Sequence, residues 1–129
     1  MMEEAEESFN LDVLEAKAEA GDVEAQYEMG WRHALGMEVD LDDDVAVEWL
    51  EKSAAAGHML AQNNMGARYY TGEGVTQDYK QAYRFFFLAA NQGDRKAGKN
   101  LDAVARQLSE TDLEFLRTEM GDAKFNSNE

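Results

Sequence analysis

The chain has 129 residues, with 12 Lys and Arg against 27 Asp and Glu, a formal net charge of −15, and neither cysteine nor proline. The lack of cysteine excludes a disulfide framework, a thiol nucleophile and a cysteine zinc site, and the charge excludes nucleic acid or an anionic membrane as partner, since both demand clustered Lys and Arg. One domain over residues 1–129 is expected. It should be cytoplasmic, because no stretch approaches the ~20 apolar residues of a membrane span and the acidic Met1–Glu7 lacks the apolar run of a secretory signal.

A gapless period of 36 residues organises the chain. Gly21 recurs as Gly57 and Gly93, and Ala25 as Ala61 and Ala97. Gln26, Met29, Gly30, Arg32, Gly36, Asp42, Ala46 and Ala54 each return once at the same spacing. A fixed period of this size marks stacked supersecondary units. In chain order, residues 8–20 are an N-terminal capping helix, in register with the second helix of a unit. Repeat one is 21–56. Its first helix, about Val23–Leu35, spaces Ala25, Met29, Gly30 and His33 for one buried face. The loop Gly36-Met37-Glu38-Val39 follows, with glycine supplying the left-handed backbone that ends a helix and valine tucking under the turn. Asp42 then caps a second helix over about 43–56, which buries Ala46, Trp49, Leu50, Ser53 and Ala54. Repeat two is 57–92, with the loop Gly72-Glu73-Gly74-Val75, the cap Asp78, and Ala82, Phe85, Phe86, Ala89 and Ala90 on its buried face. Residues 93–120 hold a partial repeat, whose first helix runs about 96–107, plus a C-terminal capping helix. That last helix opens on the capping box Ser109-Glu110-Thr111-Asp112 and carries Leu113, Phe115, Leu116 and Met120. The tail 121–129 and residues 1–7 are polar and expected to fray.

The run Ala61-x3-Met65-Gly66-x2-Tyr69-x2-Gly72-x-Gly74-Val75-x2-Asp78-x-Lys80-x-Ala82-x2-Phe85-x3-Ala89-Ala90-x2-Gly93 closely resembles the Sel1-like repeat, a relative of the tetratricopeptide repeat. The resemblance covers about residues 11–120. It implies an all-α fold, an α-α superhelix of antiparallel helix pairs, and a role as protein-binding adaptor or scaffold rather than enzyme. Unit one departs from the pattern twice. His33 stands where the tyrosine is expected, and Glu38 replaces the second loop glycine, which leaves open whether that loop keeps the backbone of unit two.

Chemistry-bearing clusters are few. Asp40, Asp42 and Asp44, with Glu51 twelve positions into the run from Asp40, imitate a calcium loop, but Val45 replaces its central glycine and the register places Val45–Glu51 in a helix. Asp42 is therefore read as a cap, with Asp43 and Asp44 favourable against the helix dipole. The two histidines, His33 and His58, have no serine or lysine placed as nucleophile and no second imidazole at ligand spacing. No catalytic, cofactor-binding or metal residue is assigned, and no cofactor is implied.

The resemblance places the candidate site in a groove lined by the first helix of every unit. Positions pointing away from the buried stripe are Glu24, Tyr27, Trp31 and Ala34 in unit one, then Leu60, Asn63, Ala67 and Tyr70, then Lys96, Lys99, Ala103 and Arg106. The groove is thus aromatic and acidic at one end and basic at the other. Partner-binding residues are expected to be Glu24, Tyr27, Trp31, Asn63, Tyr70, Lys96 and Lys99, because Tyr, Trp and Arg most often dominate interfaces. The competing place for Trp31 is against the N-terminal tail, at Phe9. Asn63, Lys96 and Asn100 also resemble part of the carboxylate-gripping set of chaperone-binding tetratricopeptide domains, although Tyr27 and Trp31 stand where that set needs polar residues.

Charge offers a second function. Residues 1–56 hold 17 acidic and 3 basic side chains, and residues 57–129 hold 10 and 9. Such a one-sided field suits an inhibitor or immunity-type protein masking a basic enzyme partner. Phe87 and Leu88 replace the Glu51 and Lys52 of unit one, and the C-terminal helix is expected to cover them. Left uncovered, they would form a contact patch. A monomer or weak homodimer follows from the short array.

Overall fold

A computed structural model describes residues 8–121. Seven α-helices follow one another: α1 (Leu11–Glu19), α2 (Val23–Leu35), α3 (Asp43–Ala55), α4 (Met59–Thr71), α5 (Tyr79–Asn91), α6 (Arg95–Ala105) and α7 (Glu110–Met120). Each packs on the next from α1 to α6, and α7 folds back onto α5. The described residues are therefore an all-α solenoid of helix pairs, as the period implies. None of these helices is long and apolar enough to cross a membrane.

Local chemistry sets the helix ends. Asn10, Asp22, Asp42, His58, Asp78, Asp94 and Ser109 are the N-caps, each accepting a backbone N–H from the first turn. His58 takes the place that aspartate holds at Asp22 and Asp94. The first helices end on left-handed glycines, Gly36 at φ 68° and Gly72 at φ 80°. Glu38 adopts φ 64° where Gly74 has φ 77°, so unit one makes the same turn with a non-glycine residue in the left-handed region. Its Arg32 guanidinium donates to the Met37 carbonyl at 3.2 Å beneath that turn.

Packing occurs in three clusters along the array. Leu14, Ala18, Ala25 and Met29 join the cap to unit one, with Phe9 and Trp49 at the edge. Leu50, Ala54, Ala61 and Met65 join unit one to unit two. Tyr83, Phe86, Phe87, Leu101, Val104 and Leu116 join unit two to the C-terminal helices. Phe87 is covered, at 3% exposed, whereas Leu88 is 41% exposed and Phe115 56%. Phe87 thus shares the C-terminal cluster with Leu116, while Leu88, turned ~100° further round the helix, stays outside it.

Buried glutamines tie each unit to the one before. Gln26 Nε2 donates to the Ala18 carbonyl at 3.1 Å, and Gln62 Nε2 donates to the Ala54 carbonyl at 3.1 Å. Both carbonyls belong to the last turn of a helix, where the glutamine adds a second donor to the Gly21 and Gly57 N–H groups of the following turns.

Candidate functional site

The alternation of first and second helices places α2, α4 and α6 side by side, and a groove of about 840 Å3 runs across them. Tyr27, Trp31, Ala34 and Leu35 of α2 form its first wall. Leu60, Asn63, Asn64, Ala67, Arg68 and Thr71 of α4 form its floor, and Asp94, Lys96 and Asn100 close the far side. Of the seven expected contact residues, Tyr27, Trp31, Asn63 and Lys96 meet here. Tyr70 lines an adjoining recess with Ala67, Thr71, Phe86, Asn100 and Ala103. Glu24 and Lys99 are exposed and are not among the lining residues.

Glu24, largely exposed, pairs with the cap residue of α4. Its Oε2 accepts from His58 Nε2 at 2.6 Å. His58 Nδ1 accepts the Ala61 backbone N–H at 3.2 Å, so the ring proton sits on Nε2, facing Glu24. The imidazole held between these partners stacks under Tyr27, ring centroids 4.5 Å apart and planes 21° from parallel. Burial, aided by the Glu24 carboxylate, raises the Tyr27 phenol above its ordinary pKa of 10.0. The hydroxyl therefore remains a neutral hydrogen-bond group at physiological pH.

Trp31 is half-buried in the same wall. Phe9 lies over the Arg32 guanidinium at 3.7 Å, and that cation is 4.8 Å from the Trp31 ring. The tail residue thus covers the neighbour of Trp31, while Trp31 itself lines the groove. On the floor, Asn100 Nδ2 donates to Asn63 Oδ1 at 3.3 Å, joining α6 to α4. Arg68 is nearly buried. It donates from Nε to Asn64 Oδ1 at 2.9 Å and from Nη1 to Asp43 Oδ1 at 3.0 Å, fixing Asn64 from the unit before.

Sequence spacing alone missed Leu35, Asn64, Arg68, Thr71, Glu73 and Asp94 as groove residues. Asn64 and Asn100 share one repeat position, occupied by Glu28 in unit one, and that change of charge was the available signal. Among the described residues no group of three or more His, Cys, Asp or Glu is arranged to hold a metal, and Asp42 caps α3 as its spacing suggests. The groove presents two aromatic faces, amide groups and charges of both signs, Arg68 and Lys96 beside Glu73 and Asp94, along an open channel.

The Sel1 repeat model matches residues 23–58 and 60–94. The chain belongs to the Sel1 repeat family. Proteins of this family are in general protein–protein interaction modules. A Sel1 repeat protein from Oxalobacter formigenes is similar at 30% identity and a TM-score of 0.67, over 90% of this chain and 79% of that one. A protective antigen present in uropathogenic Escherichia coli strains, displaying an SLR fold, is similar at 33% identity and a TM-score of 0.73, over 89% of this chain. The present Sel1 repeat chain spans about a quarter of that antigen, 26%. No curated protein matches the sequence.

Proposed function

We propose that this Sel1 repeat chain is a non-enzymatic binding module that holds an extended peptide or loop of a partner protein in the groove across α2, α4 and α6. Tyr27, Trp31, Asn63, Tyr70 and Lys96 make the contacts, with Lys99 at the rim and Glu24 steadying Tyr27 through His58. One observation carries the reading. Two aromatic side chains stand half-buried on the wall of an 840 Å3 groove whose opposite side offers amides and a lysine. Aromatic rings supply large contact area at low entropic cost, and amides satisfy a peptide main chain. Trp31→Ala should weaken peptides selected on the wild-type chain by more than about 1 kcal/mol while leaving the unfolding transition unchanged. Unchanged affinity in a folded variant would overturn the reading.

The exposed carboxylates of Asp12, Glu15, Glu19, Asp44 and Glu48 on α1 and α3 support a second reading, in which the acidic half masks a basic enzyme. Exposed charges are screened beyond about 8 Å at physiological ionic strength, so association should slow steeply with salt. A salt-independent on-rate for a basic partner argues against it.

A further inference from the structure

At its α6 end the groove opens into a recess of about 100 Å3 enclosed by Ala67, Tyr70, Thr71, Phe86, Asn100 and Ala103. Ala67, Thr71 and Asn100 line the groove as well, so the two spaces are continuous. The walls are mostly methyl groups and ring carbons. The Phe86 ring is pressed against Gly66 so closely that a Cβ there would lie 2.6 Å from Phe86 Cδ1. Phe86 is 2% exposed within the core, which keeps it from swinging out to close the space. The Tyr70 ring leans on Tyr79 with centroids 5.4 Å apart. The Thr71 hydroxyl donates to the Ala67 carbonyl at 3.0 Å, so its polar atom is turned onto its own helix.

Beside the recess, the bond from Asn100 Nδ2 to Asn63 Oδ1 leaves Asn100 an acceptor oxygen and Asn63 its donor N–H groups. A peptide unit offers the complement, one N–H and one C=O. The same six positions 36 residues earlier hold Trp31, Ala34, Leu35, Leu50, Asn64 and Ala67. There Trp31 stands where Ala67 leaves the wall small, and Trp31, Ala34, Leu35, Asn64 and Ala67 line the wide groove itself, so the narrow recess has different walls from its counterpart one unit earlier.

We propose that this recess is a specificity pocket for one branched aliphatic side chain, Val, Ile or Leu, of an extended peptide whose main chain is held by Asn63 and Asn100. It rests on the groove being the binding site. Size decides the class. An enclosed apolar cavity of about 150 Å3 takes benzene, so the 100 Å3 of this recess suits three or four branched carbons better than a phenyl or indole ring, which would have to stand partly out in the groove. Charged side chains are excluded because the apolar walls would leave them unpaired.

The test is selection of a random nine-residue peptide library on the full chain. Enriched peptides should share one position restricted to Val, Ile or Leu, and alanine there should weaken binding roughly tenfold to a hundredfold. Ala103→Leu fills the recess and should erase that restriction, leaving the alanine-substituted peptide bound as in the wild type. Ala67→Leu fills it from the opposite wall and, since Ala67 also lines the groove floor, reads only the loss of the aliphatic restriction, not overall affinity, if Ala103→Leu fails to fold by circular dichroism. Peptides that lose binding in Trp31→Ala but show no aliphatic position overturn the pocket and leave the groove standing. The same holds if the aliphatic preference persists in the folded leucine variants. A library without binders, or binders indifferent to Trp31→Ala, overturns the groove and the pocket with it.

Discussion

Residues 21–56 and 57–92 fold into the same pair of helices with different interiors. Their first helices have 13 residues each and end on a left-handed glycine, and their second helices have 13 residues each and begin on a capping aspartate. Inside, unit two presses Phe86 onto Gly66, where unit one sets Leu50 against Gly30. Unit two closes Gln62 with Gln92, whose Nε2 donates to Gln62 Oε1 at 2.7 Å and to the Gly57 carbonyl at 2.9 Å. In unit one, Ala56 stands in place of Gln92, and Gln26 Oε1 is buried without a protein partner. The backbone plan thus tolerates exchange of the side chains that finish it, with the caps and the helix-ending glycines Gly36 and Gly72 kept in both units. Unit two is the completed version and unit one the economical one.

The largest test of this contrast is the pair of interior glycines. A methyl at Gly66 meets a rigid ring, with Phe86 Cδ1 at 2.6 Å. A methyl at Gly30 meets Leu50 Cγ at 2.6 Å, and Leu50, though fully buried, is a smaller and more jointed side chain than Phe86. Overpacking costs about 1–3 kcal/mol, against a gain of about 1 kcal/mol for alanine over glycine in a helix. Gly66→Ala should therefore lose about 2 kcal/mol in urea unfolding, and Gly30→Ala about half of that. Equal losses would show that the two interfaces are equally stiff.

Next come the glutamines. Gln92→Ala should cost about 1–2 kcal/mol, because it strands the buried Gln62 oxygen. Ala56→Gln should recover about 0.5–1 kcal/mol by giving Gln26 the same partner. The backbone is ready for it, with Ala56 at φ −83°, ψ 1° and Gln92 at φ −87°, ψ −3°. If Ala56→Gln leaves the unfolding midpoint in place, the Gln26 oxygen is already satisfied by solvent.

The loops give a smaller effect of opposite sign in the two units. Glu38→Gly relieves a left-handed non-glycine residue and should gain about 0.5 kcal/mol. Its Arg32 contact at 3.9 Å is exposed and contributes little. Gly74→Ala should instead destabilise, since a Cβ there lies 2.8 Å from Asp43 Oδ2 and 2.9 Å from Arg68 Nη1. Thermal melts of both variants check the sign, and two shifts in the same direction would refute it.

The faintest effect lies where unit two meets α7. Arg84 grips Glu119 through Nε at 2.6 Å and Nη2 at 3.1 Å, whereas Glu48, at the same position of unit one, is exposed. Hydrogen bonding to Arg84 lowers the Glu119 pKa below its ordinary 4.5. A lowered carboxylate stabilises the fold above its unfolded value and loses that contribution as pH falls through the folded one. The stability difference between wild type and Glu119→Gln should therefore be present at neutral pH and vanish under acid below about 4.5. A difference that persists in acid would exclude the ion pair as its source.

Much of the fold was legible because its signals are local. Gly36, Gly72, Asp42, Asp78 and Ser109 act on their own backbone, and the 36-residue period repeats those signals in place. The site was legible in part. Tyr27, Trp31, Asn63 and Lys96 follow from helix spacing on α2, α4 and α6, and they share the groove. The pairing of Glu24 with His58 was not legible, because the two lie 34 residues apart and His58 acts as a cap. Nor was the split between Phe87 and Leu88, which depends on the angle at which α7 crosses α5. His33 and Glu38, the two departures from the repeat, kept the turn: His33 Nδ1 lies 3.0 Å from the Asp40 carbonyl, and Glu38 accepts the left-handed backbone.

By itself the sequence determined that this protein is a stack of helix pairs, where each pair begins and ends, and which helices carry variable residues. Only the tertiary structure decided what those residues meet: Asn100 on Asn63, His58 between Glu24 and Tyr27, and a recess beside Phe86 where unit one has its tryptophan. The reason is one of range. Caps, turns and periodicity are set by interactions within a few residues, whereas the offset between stacked helices is set by how particular side-chain volumes interlock across units.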